Sequence, residues 1–74
     1  MGIVNKEFYI VLMSAFSEQK RERVSAQHLI YGTNEQARTE ANLLLGSWEN
    51  SNLKDVRLDL RRVTGTEIIM KIRK

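Results

Sequence analysis

The sequence predicts an α+β fold of order ββαββ, an antiparallel sheet with one amphipathic helix packed on one face. Three observations predict it. A run rich in β-branched and aromatic residues opens the chain, alternating apolar runs flank turn sequences in both halves, and a single stretch between them carries helical periodicity behind a capping sequence. The length of 74 residues, without proline or a low-complexity tract, suits one domain spanning 1–74.

The elements follow in order. Phe8 to Phe16 reads as a strand, too short and too poorly patterned for a surface helix. The polar run Ser17 to Glu22 is a hairpin tip. Val24, Ala26, His28 and Ile30 then alternate with Arg23, Ser25, Gln27 and Leu29, a second strand with one greasier face that Gly32 ends. Thr33 is a helix cap, and Gln36 three residues later can complete a capping box. Ala37, Ala41, Leu44, Leu45 and Trp48 fall on one side of that helix. Gly46 either ends it early or sits in its last turn, and Asn50-Ser51-Asn52 closes the segment.

The final hairpin allows a register to be argued. Val56, Leu58 and Leu60 form one face of its first strand, and Ile68, Met70 and Ile72 one face of its second. A three-residue loop, Val63-Thr64-Gly65, with a left-handed Gly65, pairs Leu60 with Ile68, Leu58 with Met70 and Val56 with Ile72. On the other face Arg61 then meets Glu67, Asp55 meets Arg73, and Arg57 meets Lys71. The last of these opposes like charges at a cost of a few tenths of a kcal/mol to about one.

Strand one is apolar on both sides, with Phe8, Ile10 and Leu12 on one and Tyr9, Val11 and Met13 on the other. One helix covers only one of them. The row Tyr9, Val11 and Met13 is expected to stay uncovered and to form a homodimer interface, since exposed apolar patches mark such contacts; the alternative is that these side chains lie beneath the helix or a terminal segment. Pairing through a strand edge would serve a dimer equally well.

Composition narrows the function classes. A chain this short buries only about 60% of its unfolded surface, so one small core, an interface, or both must hold it. With 42% hydrophobic and 28% charged residues it is globular, and without cysteine it has neither disulfide scaffold nor thiolate metal site. No apolar run reaches membrane-spanning length. The amino terminus has Gly2 but places Lys6 where acylation wants Ser or Thr, and Phe8–Phe16 lacks the basic leader of a signal peptide. A cytoplasmic protein is expected.

Catalytic groups are sparse. His28 is the single histidine and reads as a half-buried structural residue. Ser14, Ser17, Ser25, Ser47 and Ser51 lack a nucleophile-elbow context, Glu35 and Glu40 do not share a helical face, and the glycines are isolated. Neither an enzyme nor a cofactor is expected.

The net charge of +3 belongs to the carboxyl-terminal part, where seven bases from Lys54 to Lys74 face three acids. Arg57, Arg61, Lys71 and Arg73 project from one face of the second hairpin, and Lys20, Arg21 and Arg23 lie at the tip of the first. These seven are the candidate partner-binding residues, for phosphate or for acidic protein. A solvated face that serves solubility is the competing reading. The second hairpin holds no aromatic residue, which argues against recognising single strands by stacking.

Phe8-Tyr9-Ile10-Val11-Leu12, the Ser17-Glu18 tip, Gln36-Ala37-Arg38, Val56-Arg57-Leu58 and a Gly-turned last strand together resemble small phage-encoded ββαββ proteins, among them the short anti-CRISPR proteins. The resemblance covers most of the chain and rests on layout. It implies a non-enzymatic inhibitor that binds a host protein or nucleoprotein complex in the host cytoplasm, and it assigns no individual residue. The basic charge departs from the acidic DNA mimics in that group, and suits an acidic protein or nucleic-acid surface. A nucleic-acid-binding module that contacts phosphates through the hairpins is the alternative.

Overall fold

A computed structural model describes residues 6–65 and 67–73; Gly2 and Lys74, which figure in the sequence reading, lie outside them. Strands β1 (Glu7–Ser17) and β2 (Glu22–Gly32), helix α1 (Asn34–Glu49), and strands β3 (Leu53–Arg62) and β4 (Ile68–Arg73) follow in the order ββαββ. The strands form one antiparallel sheet, ordered β2-β1-β3-β4. The long first strand lies between the two hairpins' other strands and joins them.

Local sequence fixes the helix start. The Gln36 amide donates to Thr33 Oγ1 at 3.1 Å, and the Thr33 amide donates to Gln36 Oε1 at 2.9 Å, so two orphan helix-end donors are satisfied reciprocally. Gly32 belongs to this cap, because a Cβ there would lie 2.5 Å from Gln36 Oε1. Thr33→Ala should cost about 1 kcal/mol of stability, read by urea denaturation; an unchanged midpoint would show that the cap contributes nothing. Gly46 sits inside the helix, which closes on Asn50.

The core lies between α1 and one side of the sheet. Ala37, Ala41 and Leu45 pack on Tyr9, Val11, Met13, Ala15, Val56, Leu58 and Leu60. Two alanines at the contact let the helix approach the strands closely. Leu44 and Trp48 continue the helix stripe, half-buried against this core, and Ile69, Met70 and Ile72 of β4 are half-buried against it too.

This placement corrects the expected dimer interface. Tyr9, Val11 and Met13 are 1%, 0% and 2% exposed and lie beneath the helix. The reason is the register of the first hairpin, which sets Tyr9 opposite Ile30, Val11 opposite His28 and Met13 opposite Ala26. The greasier side of β2 therefore shares a face with this row, and the helix covers the face with the larger apolar total. The uncovered row is Phe8, Ile10 and Leu12.

The second hairpin is also shifted from the expected register. Leu60 pairs with Met70, Leu58 with Ile72 and Arg57 with Arg73. The loop is longer than three residues: the Arg62 amide donates to the Glu67 carbonyl at 3.3 Å, and no glycine among the described residues has positive φ. An extra residue at Ile69 moves β4 a further step, so that Ile68 faces away from the core opposite Arg61. Arg57 thus does not oppose Lys71. Asp59 does, while Arg57 opposes Arg73, so the like-charge pairing passes from Lys71 to Arg73, and each arginine has an aspartate beside it: Asp59 Oδ1 2.9 Å from Arg73 Nη1 and Asp55 Oδ2 3.3 Å from Arg57 Nη2. Glu67 pairs with Arg62 rather than Arg61, and Asp55 with Arg23 and Arg57 rather than Arg73.

A second irregularity shapes β3. Ser14 pairs with Arg57 and Phe16 with Lys54, so Asp55 and Val56 together oppose Ala15. Asp55 takes φ 52°, a left-handed conformation that aspartate tolerates better than most residues. The bulge lets Leu53 and Val56, three apart, both serve the core.

Candidate functional site

The side of the sheet opposite α1 has no layer over it among the described residues. Its composition follows from register. One row holds Tyr31 and Phe8; the next Leu29, Ile10, Arg61 and Ile68; the next Gln27, Leu12, Asp59 and Lys71; the next Ser25, Ser14, Arg57 and Arg73. A fifth row holds Arg23, Phe16 and Lys54, so one end of the face is apolar and aromatic and the other is cationic, with the exposed Phe16 ring among its basic residues.

At the apolar end Phe8, Tyr31 and Leu29 are 46%, 60% and 66% exposed. The Phe8 and Tyr31 rings lie 4.7 Å apart at a tilt of 47°, an offset pairing across β1 and β2. Val63 extends this end, its amide donating to the Phe8 carbonyl at 3.0 Å. A contiguous exposed patch of this kind departs from the scattered apolar residues of an ordinary surface.

The cationic end gathers Arg57, Arg61, Lys71 and Arg73 on one face, as the sequence predicts, and adds Arg23. Partial compensation is built in. Asp59 Oδ1 and Oδ2 lie 2.9 Å from Arg73 and 3.8 Å from Arg61, and Asp55 Oδ2 lies 3.3 Å from Arg57. Lys71 has no ion pair among the described residues, and five cations face two carboxylates, leaving the face positive. A shallow depression of about 480 Å³ lies here, bounded by Ser14, Ser25, Gln27, Asp59, Arg57 and Arg73.

Arg23 has a structural task. From β2 it reaches across β1 to β3, where Nη1 is 2.9 Å from Asp55 Oδ2 and Nη2 donates to the Asp55 carbonyl at 2.8 Å. It ties the bulge in place. Lys20 and Arg21 lie in the exposed turn at the hairpin tip, outside the rows of the open face. Arg62 belongs to the helix side: it sits 5.9 Å from the centroid of Tyr9 and pairs with Glu7 and Glu67 at 3.1 and 3.2 Å. A hydrogen bond with Tyr9, then the Glu7 charge, push its already high pKa further up, so it carries a fixed charge.

His28 is half-buried on β2, facing Val11, in the structural setting expected of it. Among the described residues no group of three His, Asp or Glu side chains could hold a metal ion, and no helix is long and apolar enough to cross a membrane. The chain matches no family model, no curated protein and no solved structure. Its functional reading therefore rests on this face.

Phe8, Tyr31 and Leu29 are not among the site residues that the sequence predicts. The signal was available: the six-residue tip Ser17–Glu22 implies a pairing that sets Phe8 beside Tyr31 and Ile10 beside Leu29.

Proposed function

We propose that the chain is a small, non-enzymatic binding protein, an inhibitor of phage type, that lays the open face of its sheet against a surface of a host nucleoprotein complex. The observation that carries this reading is the exposed Phe8–Tyr31 pair with Leu29, continuous with a cationic end. Aromatic and arginine side chains supply much of the energy of macromolecular interfaces, and a water-exposed apolar patch gains most when a partner covers it. The resemblance in layout that the sequence bears to short anti-CRISPR proteins supports the inhibitor role.

The test is co-purification from host lysate, comparing the wild type with a Leu29→Ser/Tyr31→Ser variant. Both changes lie on the exposed side, so the fold read by circular dichroism should be preserved, with the melting temperature lowered only by the loss of the Phe8–Tyr31 contact. Wild type should retain one defined complex, and the variant should retain at least tenfold less. Equal retention by both would remove the open face as the binding surface.

A further inference from the structure

We infer that the occupant of the open face is single-stranded nucleic acid, its bases stacked on Phe8 and Tyr31 and its phosphates held by Arg61, Lys71, Arg57 and Arg73. This rests on the open face being the binding surface and names what binds it.

Three observations favour that occupant. First, the aromatic groups missing from the second hairpin are supplied by the first, and the sheet order places them one row from Arg61. The first four rows span roughly 20 Å along the strands, at two residues per row. A strand crossing them meets stacking surfaces first and cations afterwards, the two components of sequence-tolerant single-strand binding. Second, the depression among the cations sets the polar groups of Ser14, Ser25 and Gln27 beside the apolar Leu12, a lining that suits the edge and face of an unpaired base. Third, Lys71 has no ion pair among the described residues and the face keeps an excess of positive charge, which phosphate would neutralise.

A duplex fits less well. Stacking needs bases out of the helix, and the apolar end offers nothing to a phosphate backbone. An acidic protein would satisfy the cations and the apolar patch, and is the competing outcome of the test.

Fluorescence anisotropy with labelled single strands of roughly ten nucleotides, DNA and RNA, and with a duplex of the same length reads the binding directly. Single strands should bind more tightly than duplex. Affinity should fall about 20-fold between roughly 50 and 200 mM salt, the value for three phosphates neutralised. Tyr31→Ala should weaken binding about tenfold or more, and Tyr31→Trp should restore it. Lys71→Gln should lower the salt slope by about 0.7 with the melting temperature unchanged. Duplex bound equally well, or a Tyr31→Ala variant that binds as wild type, would overturn the inference. If no oligonucleotide binds, co-purification decides what else fails. A complex that survives nuclease and is lost with Leu29→Ser/Tyr31→Ser would mean a protein partner on the same face; retention independent of the face would sink both readings.

Discussion

Leu58→Ala should lower stability by about 3 kcal/mol and the melting temperature by roughly 12–24 °C. Leu58 is fully buried on β3, between Met13 on β1 and Ile72 on β4, within the layer that α1 covers. Truncating its isobutyl side chain to a methyl forfeits the transfer free energy of three carbons and leaves a cavity that neighbours on two strands cannot close. The loss matters because a domain of this length has a total stability of only roughly 4–11 kcal/mol. Leu43→Ala is the control: Leu43 is 65% exposed on the far side of the helix, and its truncation should shift the midpoint little. Thermal denaturation followed by circular dichroism measures both. A loss below about 1 kcal/mol for Leu58→Ala would mean that the core does not close around this position.

Asp55→Val should cost about 1–3 kcal/mol more than Asp55→Asn. Two effects meet at this residue. The ion pair with Arg23 involves side chains that are 35% and 48% exposed, so solvent screens it and its loss alone costs about 1 kcal/mol or less. The backbone at φ 52° is a separate matter. Asparagine keeps the tolerance for left-handed geometry and the Arg23 bond to the main-chain carbonyl, whereas a β-branched side chain clashes there. Asp55→Gly should match or exceed the asparagine variant, because it removes the conformational cost while losing the same charge. Urea denaturation of the three variants gives the order. Equal losses for Asn and Val would show that the bulge is not held in this conformation.

The open face also limits what charge substitutions can report. Arg57 and Arg73 each pair with an aspartate, so their removal takes away a cation and also leaves a carboxylate with one partner fewer. Lys71 carries no such linkage among the described residues, which makes it the cleaner probe of phosphate binding. Arg23 is a poor probe for the opposite reason, since it holds the bulge on which the position of Asp55 depends.

The sequence by itself determined the element types, their order, the helix cap and the helix stripe. Those are set by interactions within a few residues: Thr33 with Gln36, the three- and four-residue spacing of Ala37, Ala41, Leu45 and Trp48, and the alternation along β2. It also placed Arg57, Arg61, Lys71 and Arg73 on one side of a hairpin, because strand parity survives a shift of two residues. Only the tertiary structure decided which side of β1 the helix covers, since both sides are apolar and the choice depends on β2 and β3 packing beside it. It alone decided the final register, where the longer loop and the extra residue at Ile69 allow Asp59 to meet Lys71 and Arg73. And it alone brought Phe8 and Tyr31 onto the face that carries the second hairpin's cations. That juxtaposition arises from β1 pairing with β3, a contact between residues some fifty positions apart that no local pattern encodes.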